Sequence, residues 1–502
     1  MTLGPPTARC LLACALMLAF PAFSRATAQA PLHTFTNREG RSIEARVVSY
    51  ENGQAKIQRA DGVQFALAAT TLSAADQEFL AEWKRQESLQ PPLGSIVSPG
   101  ATANAQVTVA ALNEALGQPL MPAGGALWQA APESVASRLK WPRESRTPAQ
   151  ISFRAYPGGE YRFAGARPFS ASLYGEGGQT TSVSLVFANR GDSFGAKRGG
   201  EDHFERDDEL PADALTRLKA AIKADAGAIE AALTRVLGAP EKQNYGEGEG
   251  RRRVLRWDWI GHAFLLSEEA EQYVGLAVVP SALADQRGKT ARVSDASVRE
   301  RIRATLEKRP NGDVVIKDIP MVDQGPKGYC APATCERAMR HVGIQADMYL
   351  LAVAGGSGLG GGVSVDRMLQ TVGRDLRRKG RSFETFGGAV SLKKLAKHLD
   401  DGLPVLWLMD SAESFNELAN ARTRKRKTIT DWAAWKEELA SAGAGEIVSD
   451  GTRAHCTMII GYNRETGEIA FSDSWGEQYT ERWVRVEEAQ AVSKGAFYVI
   501  GL

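Results

Sequence analysis

The sequence predicts an α+β protein made of three folded parts in series: a small β module, an α+β domain and a larger C-terminal α+β domain. Three observations lead there. Short alternating runs separated by N-G and D-G turns fill residues 31–86. Helical and strand-like patterns mix through the rest of the chain. Linker-like or charged stretches interrupt it at 87–107 and 286–309. The length of 502 residues suits about three domains. With 43% apolar and 24% charged residues, the chain has an ordinary globular balance. A formal net charge of +2 is too small to argue for nucleic acid or an anionic membrane as a partner.

The N-terminus reads as a signal peptide over residues 1–28. Arg9 provides a basic start, residues 10–23 an apolar run of the right length, and Ala26-Thr27-Ala28 a small-residue cleavage site. That run is too short to span a bilayer comfortably, and no later segment is long and apolar enough. The mature chain is therefore expected to be exported (to periplasm, cell envelope or exterior) and to lack a transmembrane segment. Of the five cysteines, Cys10 and Cys14 leave with the signal. Cys330, Cys335 and Cys456 remain, an odd count that points to a free thiol.

In residues 31–86, 43–48 and 55–57 alternate as strands do, and Asn52-Gly53 and Asp61-Gly62 are hairpin turns. Ser73 caps a short helix carrying Phe79, Leu80 and Trp83. Gly40-Arg41, Glu44-Ala45, Asp61-Gly62, Leu72-Ser73, Asp76-Gln77 and Phe79-Leu80 together resemble the small SH3-like barrels of the Sla-homology type. The resemblance implies a binding module, with a protein or envelope component as its ligand, and no chemistry.

Residues 87–107 have linker composition, with Pro91-Pro92 and Pro99-Gly100. Residues 108–285 read as an α+β domain of unassigned role. Short helix 109–116 and long helix 211–237 are expected, with strands at 151–156, 161–163, 170–174, 182–187, 254–259, 263–266 and 273–278. His203 and His262 stand alone and are read as structural or solvated. Arg251-Arg252-Arg253 is read as a solvated turn. Residues 286–309 are a charged, helix-prone connector.

The chemistry is expected in residues 310–502. Cys330 opens a helical pattern that runs through Met339 to Gly343, with Pro332 in the first turn and Arg340 and His341 in the last. A thiol at a helix N-terminus is biased towards thiolate. His455 begins the apolar strand 456–462, and Asp473 follows the next strand, 469–472. Neighbouring antiparallel strands would bring the two side chains within reach, so that Asp473 orients the imidazole. Gln324, six residues before Cys330, could supply an oxyanion donor beside the Cys330 N–H. The spacing of Cys330, Cys335, His455 and Cys456 fits no standard zinc site, so no metal or other cofactor is expected. Cys335 and Cys456 read as inert buried thiols.

Gln324-x5-Cys330 opening a helix, a later His455 before a strand, and Asp473-Ser474-Trp475-Gly476 resemble the papain-like fold over residues 315–502. Asp473 in place of Asn, and the Gln324-x5-Cys330-x-Pro332-Ala333 stretch, resemble its bacteriocin-processing peptidase branch. The resemblance implies Cys330 as nucleophile, His455 as general base and acid, Asp473 as orienting residue and Gln324 as oxyanion donor. Trp475 would shield the His–Asp hydrogen bond. Ala331 departs from the family's aromatic after the nucleophile. The glycine-rich stretch 355–362 reads as a lip of the cleft or a long turn. The basic run 421–428 is expected on a solvated loop or helix face, with an acidic ligand as the alternative. Three functions fit: a peptidase acting on peptide or protein substrates through an acyl-enzyme, a transamidase or amidase acting on envelope peptides, and a non-catalytic scaffold.

Overall fold

The computed structural model describes residues 33–51, 53–59, 64–89, 107–193, 212–290, 292–326, 328–359, 362–442, 447–449, 451 and 453–502. The expected signal peptide, the turn residues Asn52, Asp61 and Gly62, most of the linker, His203 and Pro211 lie outside them. The chain divides into one unit up to Ile96 and a second from Val97 onward.

The first unit is a four-stranded antiparallel meander. Strands His33–Thr36, Ser42–Glu51, Gln54–Arg59 and Gln64–Ala68 pair in sequence order. Alternation puts Phe35, Ala45, Ala55 and Ile57 inside, against Leu72 and Leu80. Ser73 caps the helix Ala74–Leu89, its Oγ accepting from the Asp76 N–H. The Asp76 carboxylate in turn accepts from the Thr36 N–H at 2.8 Å and pairs with His33 at 2.7 Å. The module is thus a meander closed by a helix; its likeness to an SH3-like barrel stays an expectation.

Among its described residues the second unit holds two sheets. The first has eight antiparallel strands from residues 143–280, in which two meanders meet where Gln179–Asn189 pairs with Tyr273–Pro280. The helix Ala214–Leu237 lays Leu218, Ile222, Ile229 and Leu233 on one face of this sheet. Its C-cap, Gly238, has a positive φ. The helix Val109–Leu116 sits where the pattern places it.

Several expectations give way here. Residues 161–163 form no strand; Phe163 makes only a bridge to Ala166, because Ala164 and Gly165, both at positive φ, turn the chain back at once. Two strands, Arg143–Arg146 and Glu241–Tyr245, escaped the sequence reading. Both are sheet edges, where charged residues block further pairing and erase the apolar alternation. The helix Pro132–Leu139 was also missed. Arg252 and Arg253 belong to the strand Arg252–Trp259 instead of a turn. His262 is buried, bonded to the Trp259 carbonyl at 3.0 Å and stacked on Trp128, a structural role.

The C-terminal sheet runs in the order Leu306–Lys308, Asp313–Ile316, Ala454–Asn463, Val405–Asp410, Ser493–Gly501, Ser382–Gly387. Glu468–Ser472 and Arg482–Arg485 branch from Ala454–Asn463. The connector expected over 286–309 therefore ends as an edge strand of this sheet, after the helix Asp295–Thr305. The helix Cys330–His341 buries Ala331, Cys335, Ala338 and Met339 against the sheet's apolar side. A satellite cluster joins the two halves of the unit: Val186 and Tyr273 from the first sheet meet Val322, Tyr329, Ala333 and Tyr349.

The basic run does not face solvent throughout. It ends the helix Glu413–Arg426, and Arg426 is buried between Asp313, Glu468 and the Trp483 ring. Arg422 pairs with Glu488. Arg424, Lys425 and Lys427 are exposed. A 3.6-residue period turns part of any charged run towards the core, where buried acids await it. Among the described residues, no helix is long and apolar enough to cross a membrane.

Candidate active site

Cys330 is the first residue of the helix Cys330–His341, and its side chain is partly exposed. Pro332 lies in the first turn, where its missing N–H costs nothing. Gly343 terminates the helical segment at a φ of +80°. The helix is fixed by two side chains it buries. Thr334 Oγ1 donates to the Cys456 carbonyl at 3.0 Å. Arg337 donates to the Pro320 carbonyl at 3.1 Å and, at its other end, to Ser472 and Ser474. These bonds tie the helix N-terminal half to the two strands that carry His455 and Asp473.

His455 lies on the strand Ala454–Asn463, and Asp473 follows the strand Glu468–Ser472. The two strands pair antiparallel, Met458 opposite Ser472. His455 Nε2 and Asp473 Oδ1 are 2.9 Å apart. The other side of the ring hydrogen-bonds Cys330. The chain thus brings Cys330, His455 and Asp473 into one line. Trp475 packs its ring on the His455 ring, centroids 4.8 Å apart, and is itself buried.

The electrostatics agree with this line. Burial alone would lower the His455 pKa, but hydrogen bonds and charge from Asp473 and Cys330 raise it to about 9. Burial alone would raise the Cys330 pKa, yet the bond to His455 and its charge bring it down. The pair therefore favours thiolate and imidazolium. Cys335 and Cys456 are free and buried, and burial pushes both thiols up, Cys335 to about 12.

Asp473 has a second partner that the sequence did not single out. Arg482 Nη1 donates to Asp473 Oδ2 at 2.6 Å. The rest of its guanidinium bonds the Asn416 carbonyl and side chain and the Asn420 side chain at 3.0–3.2 Å. Both Asp473 and Arg482 are almost fully buried. Against the cost of burial, the Arg482 charge and the His455 bond hold the Asp473 carboxyl at about 2. In sequence, Arg482 is one arginine among many in a charged stretch; only its inward direction on the strand Arg482–Arg485 marks it.

Gln324 is buried in the loop before the helix, and its backbone N–H donates to the Ser474 carbonyl at 2.8 Å. That bond sets it beside the Asp473–Trp475 stretch. The glycine-rich segment also borders this loop: the Gly362 N–H reaches the Gly328 carbonyl at 3.3 Å, two residues before Cys330. Among the described residues, no group of histidines, cysteines and carboxylates could hold a metal ion.

No curated protein matches the chain. Residues 316–499 match the Peptidase_C39 like family, a stretch that contains Gln324, Cys330, His455 and Asp473. This match supports a papain-like cysteine peptidase segment at residues 316–499.

Proposed function

We propose that the protein is an exported cysteine peptidase that hydrolyses peptide bonds through a thioester acyl-enzyme. The observation that carries this reading is the line Cys330–His455–Asp473, with the thiol at a helix N-terminus and its pKa lowered by the imidazole. Cys330 is the nucleophile: its thiolate attacks the scissile carbonyl carbon and forms a C–S bond. The oxyanion that develops is met by the Cys330 N–H and the Gln324 side-chain amide. His455, as imidazolium, gives its proton to the departing amine as the C–N bond breaks. The neutral imidazole then takes a proton from water, whose oxygen attacks the thioester carbon; the C–S bond breaks, releasing the acid and restoring the Cys330 thiolate beside the His455 imidazolium.

Asp473 orients His455 through Nε2, which leaves Nδ1 for the sulfur. Arg482 keeps Asp473 ionised and holds its second oxygen, so only one carboxylate oxygen faces the ring. Trp475 covers the imidazole face and keeps water from the His–Asp bond. Export rests on the sequence of residues 1–28, and the N-terminal module is read as the part that binds a protein or envelope ligand.

The test is the pH dependence of Cys330 alkylation by iodoacetamide, mapped by mass spectrometry, beside a His455→Ala variant. Cys330 should react well below the ordinary thiol pKa of about 8.5 and lose that reactivity in the variant. Cys330→Ala should retain the fold and lose all proteolysis. An ordinary thiol titration in the unaltered protein, or proteolysis surviving Cys330→Ala, overturns the reading.

A further inference from the structure

The α+β domain before the peptidase segment had no role assigned, and it grips the loop that carries Gln324. Ser145 Oγ accepts from the Met321 N–H and Glu144 from the Asp323 N–H, both at 2.9 Å. Tyr156 Oη donates to the Asp323 carbonyl at 2.5 Å. At the loop's far end, Tyr329 Oη donates to Asn189 Oδ1 at 2.7 Å. Gly325 exists because of this contact as much as for its φ of +72°: a Cβ there would lie 2.6 Å from the Tyr156 ring. On the other side, Arg143 forms a two-pronged pair with Glu477, just after Trp475-Gly476, at 3.0 and 3.2 Å. The loops on both sides of the Cys330–His455–Asp473 line are therefore held by residues 143–156.

Between these holds lies a groove of about 850 Å³. Trp141, Tyr156 and Tyr161 line it from the middle domain; Asp323, Gly476 and Glu477 line it from the peptidase segment. It thus reaches the residue before Gln324 and the residue after Trp475. Its volume falls in the usual range of ligand sites, about 300–1,000 Å³. The charges along it are mostly engaged with one another. Arg154 pairs with Glu144, Arg143 pairs with Glu477, and Arg138 turns to the carbonyls of Pro119 and Leu120. What the groove offers a ligand is aromatic and proline surface, which suits an apolar side chain better than a charged small molecule.

We propose that this groove is the substrate subsite, in which the middle domain supplies one wall and an extended polypeptide lays an apolar side chain against Trp141, Tyr156 and Tyr161. The proposal rests on the peptidase reading above. It makes the middle domain a fixed part of the enzyme, in contrast to a segment that must be removed for activity.

The test uses the full chain and two probes of Cys330. Iodoacetamide needs no groove; a mixture of tetrapeptidyl chloromethyl ketones of randomised sequence does. Ala155→Trp fills the groove from within, and Gln118→Trp fills it from a more exposed position should the first variant fold poorly. The expected result is iodoacetamide reactivity with an unchanged pH profile, and peptidyl labelling slowed by about tenfold or more, the scale on which apolar subsites discriminate. Adducts on the unaltered protein should be enriched in apolar side chains. Unchanged peptidyl labelling in the folded variants overturns the groove, as does unaltered protein whose Cys330 reacts with iodoacetamide at low pH but not with the peptidyl mixture. A Cys330 that titrates as an ordinary thiol fails the peptidase reading instead, so the two failures are told apart.

Discussion

Replacing Asp473 with Asn separates what the carboxylate does for the imidazole from what it does for the fold. In the native protein one oxygen binds His455 at 2.9 Å and the other binds Arg482 at 2.6 Å. Asp473→Asn keeps the shape but removes the charge from both partners. In the native protein, against the cost of burial, the His455 pKa is raised to about 9 by its bonds to and charge from Asp473 and Cys330. Losing the Asp473 charge and its accepting oxygen should lower it towards its ordinary value, because both hold the proton on the ring. Arg482 is left as a buried cation facing an amide, and breaking such a pair from one side costs about 3–5 kcal/mol.

Two assays read these effects. The urea midpoint should fall by an amount matching that cost, and the alkaline limb of peptide turnover, set by loss of the His455 proton, should move to lower pH. Asp473→Asn combined with Arg482→Met removes the stranded cation. The double variant should regain much of the stability and none of the alkaline limb. A single variant with unchanged midpoint and unchanged pH limb would refute the argument, because Asp473 would then be paired with neither group in solution.

The same pKa values set the pH dependence of stability. The folded Asp473 pKa, about 2, lies below the ~3.9 of an unfolded carboxylate, so its stabilisation is complete above pH ~4 and is lost as pH falls through about 2. His455 acts in the opposite sense: its contribution is complete below pH ~6.5 and fades as pH rises through about 9. Unfolding curves of the native and Asp473→Asn proteins should converge at the acid extreme and stay apart at the alkaline one, where ionised Asp473 still pairs with Arg482. Gln324→Ala should lower kcat by about 10²–10³ with little change in KM, as loss of one oxyanion donor does; an unchanged kcat removes Gln324 from the mechanism. Arg426→Met strands Asp313 and Glu468 and should destabilise the protein by about 3–5 kcal/mol while the Cys330 pH profile stays put. A profile that shifted with Arg426 would mean the network reaches the active site.

Sequence alone determined the elements whose signals are local. The Cys330 helix, with its Pro332 start and Gly343 end, is written in residue types that act on their own turn of backbone. The strands of His455 and Asp473 are apolar runs separated by a tight turn, so their adjacency follows from chain connectivity. That connectivity joins His455 to Asp473, whereas their joining to Cys330 is what the resemblance of the Gln324-x5-Cys330 and Asp473–Gly476 stretches implies. Only the tertiary structure decided which charged residues turn inward. Arg482, Arg426 and Arg337 read like surface arginines, because burial of a guanidinium is decided by acceptors far along the chain: Asp473 with Asn416, Asp313 with Glu468, and Ser472 with Pro320. The grip of residues 143–156 on the 321–329 loop was invisible for the same reason. Its partners lie more than a hundred residues apart, and a Ser and a Glu on an edge strand and a Tyr just past the next strand carry no periodicity that points to a distant loop.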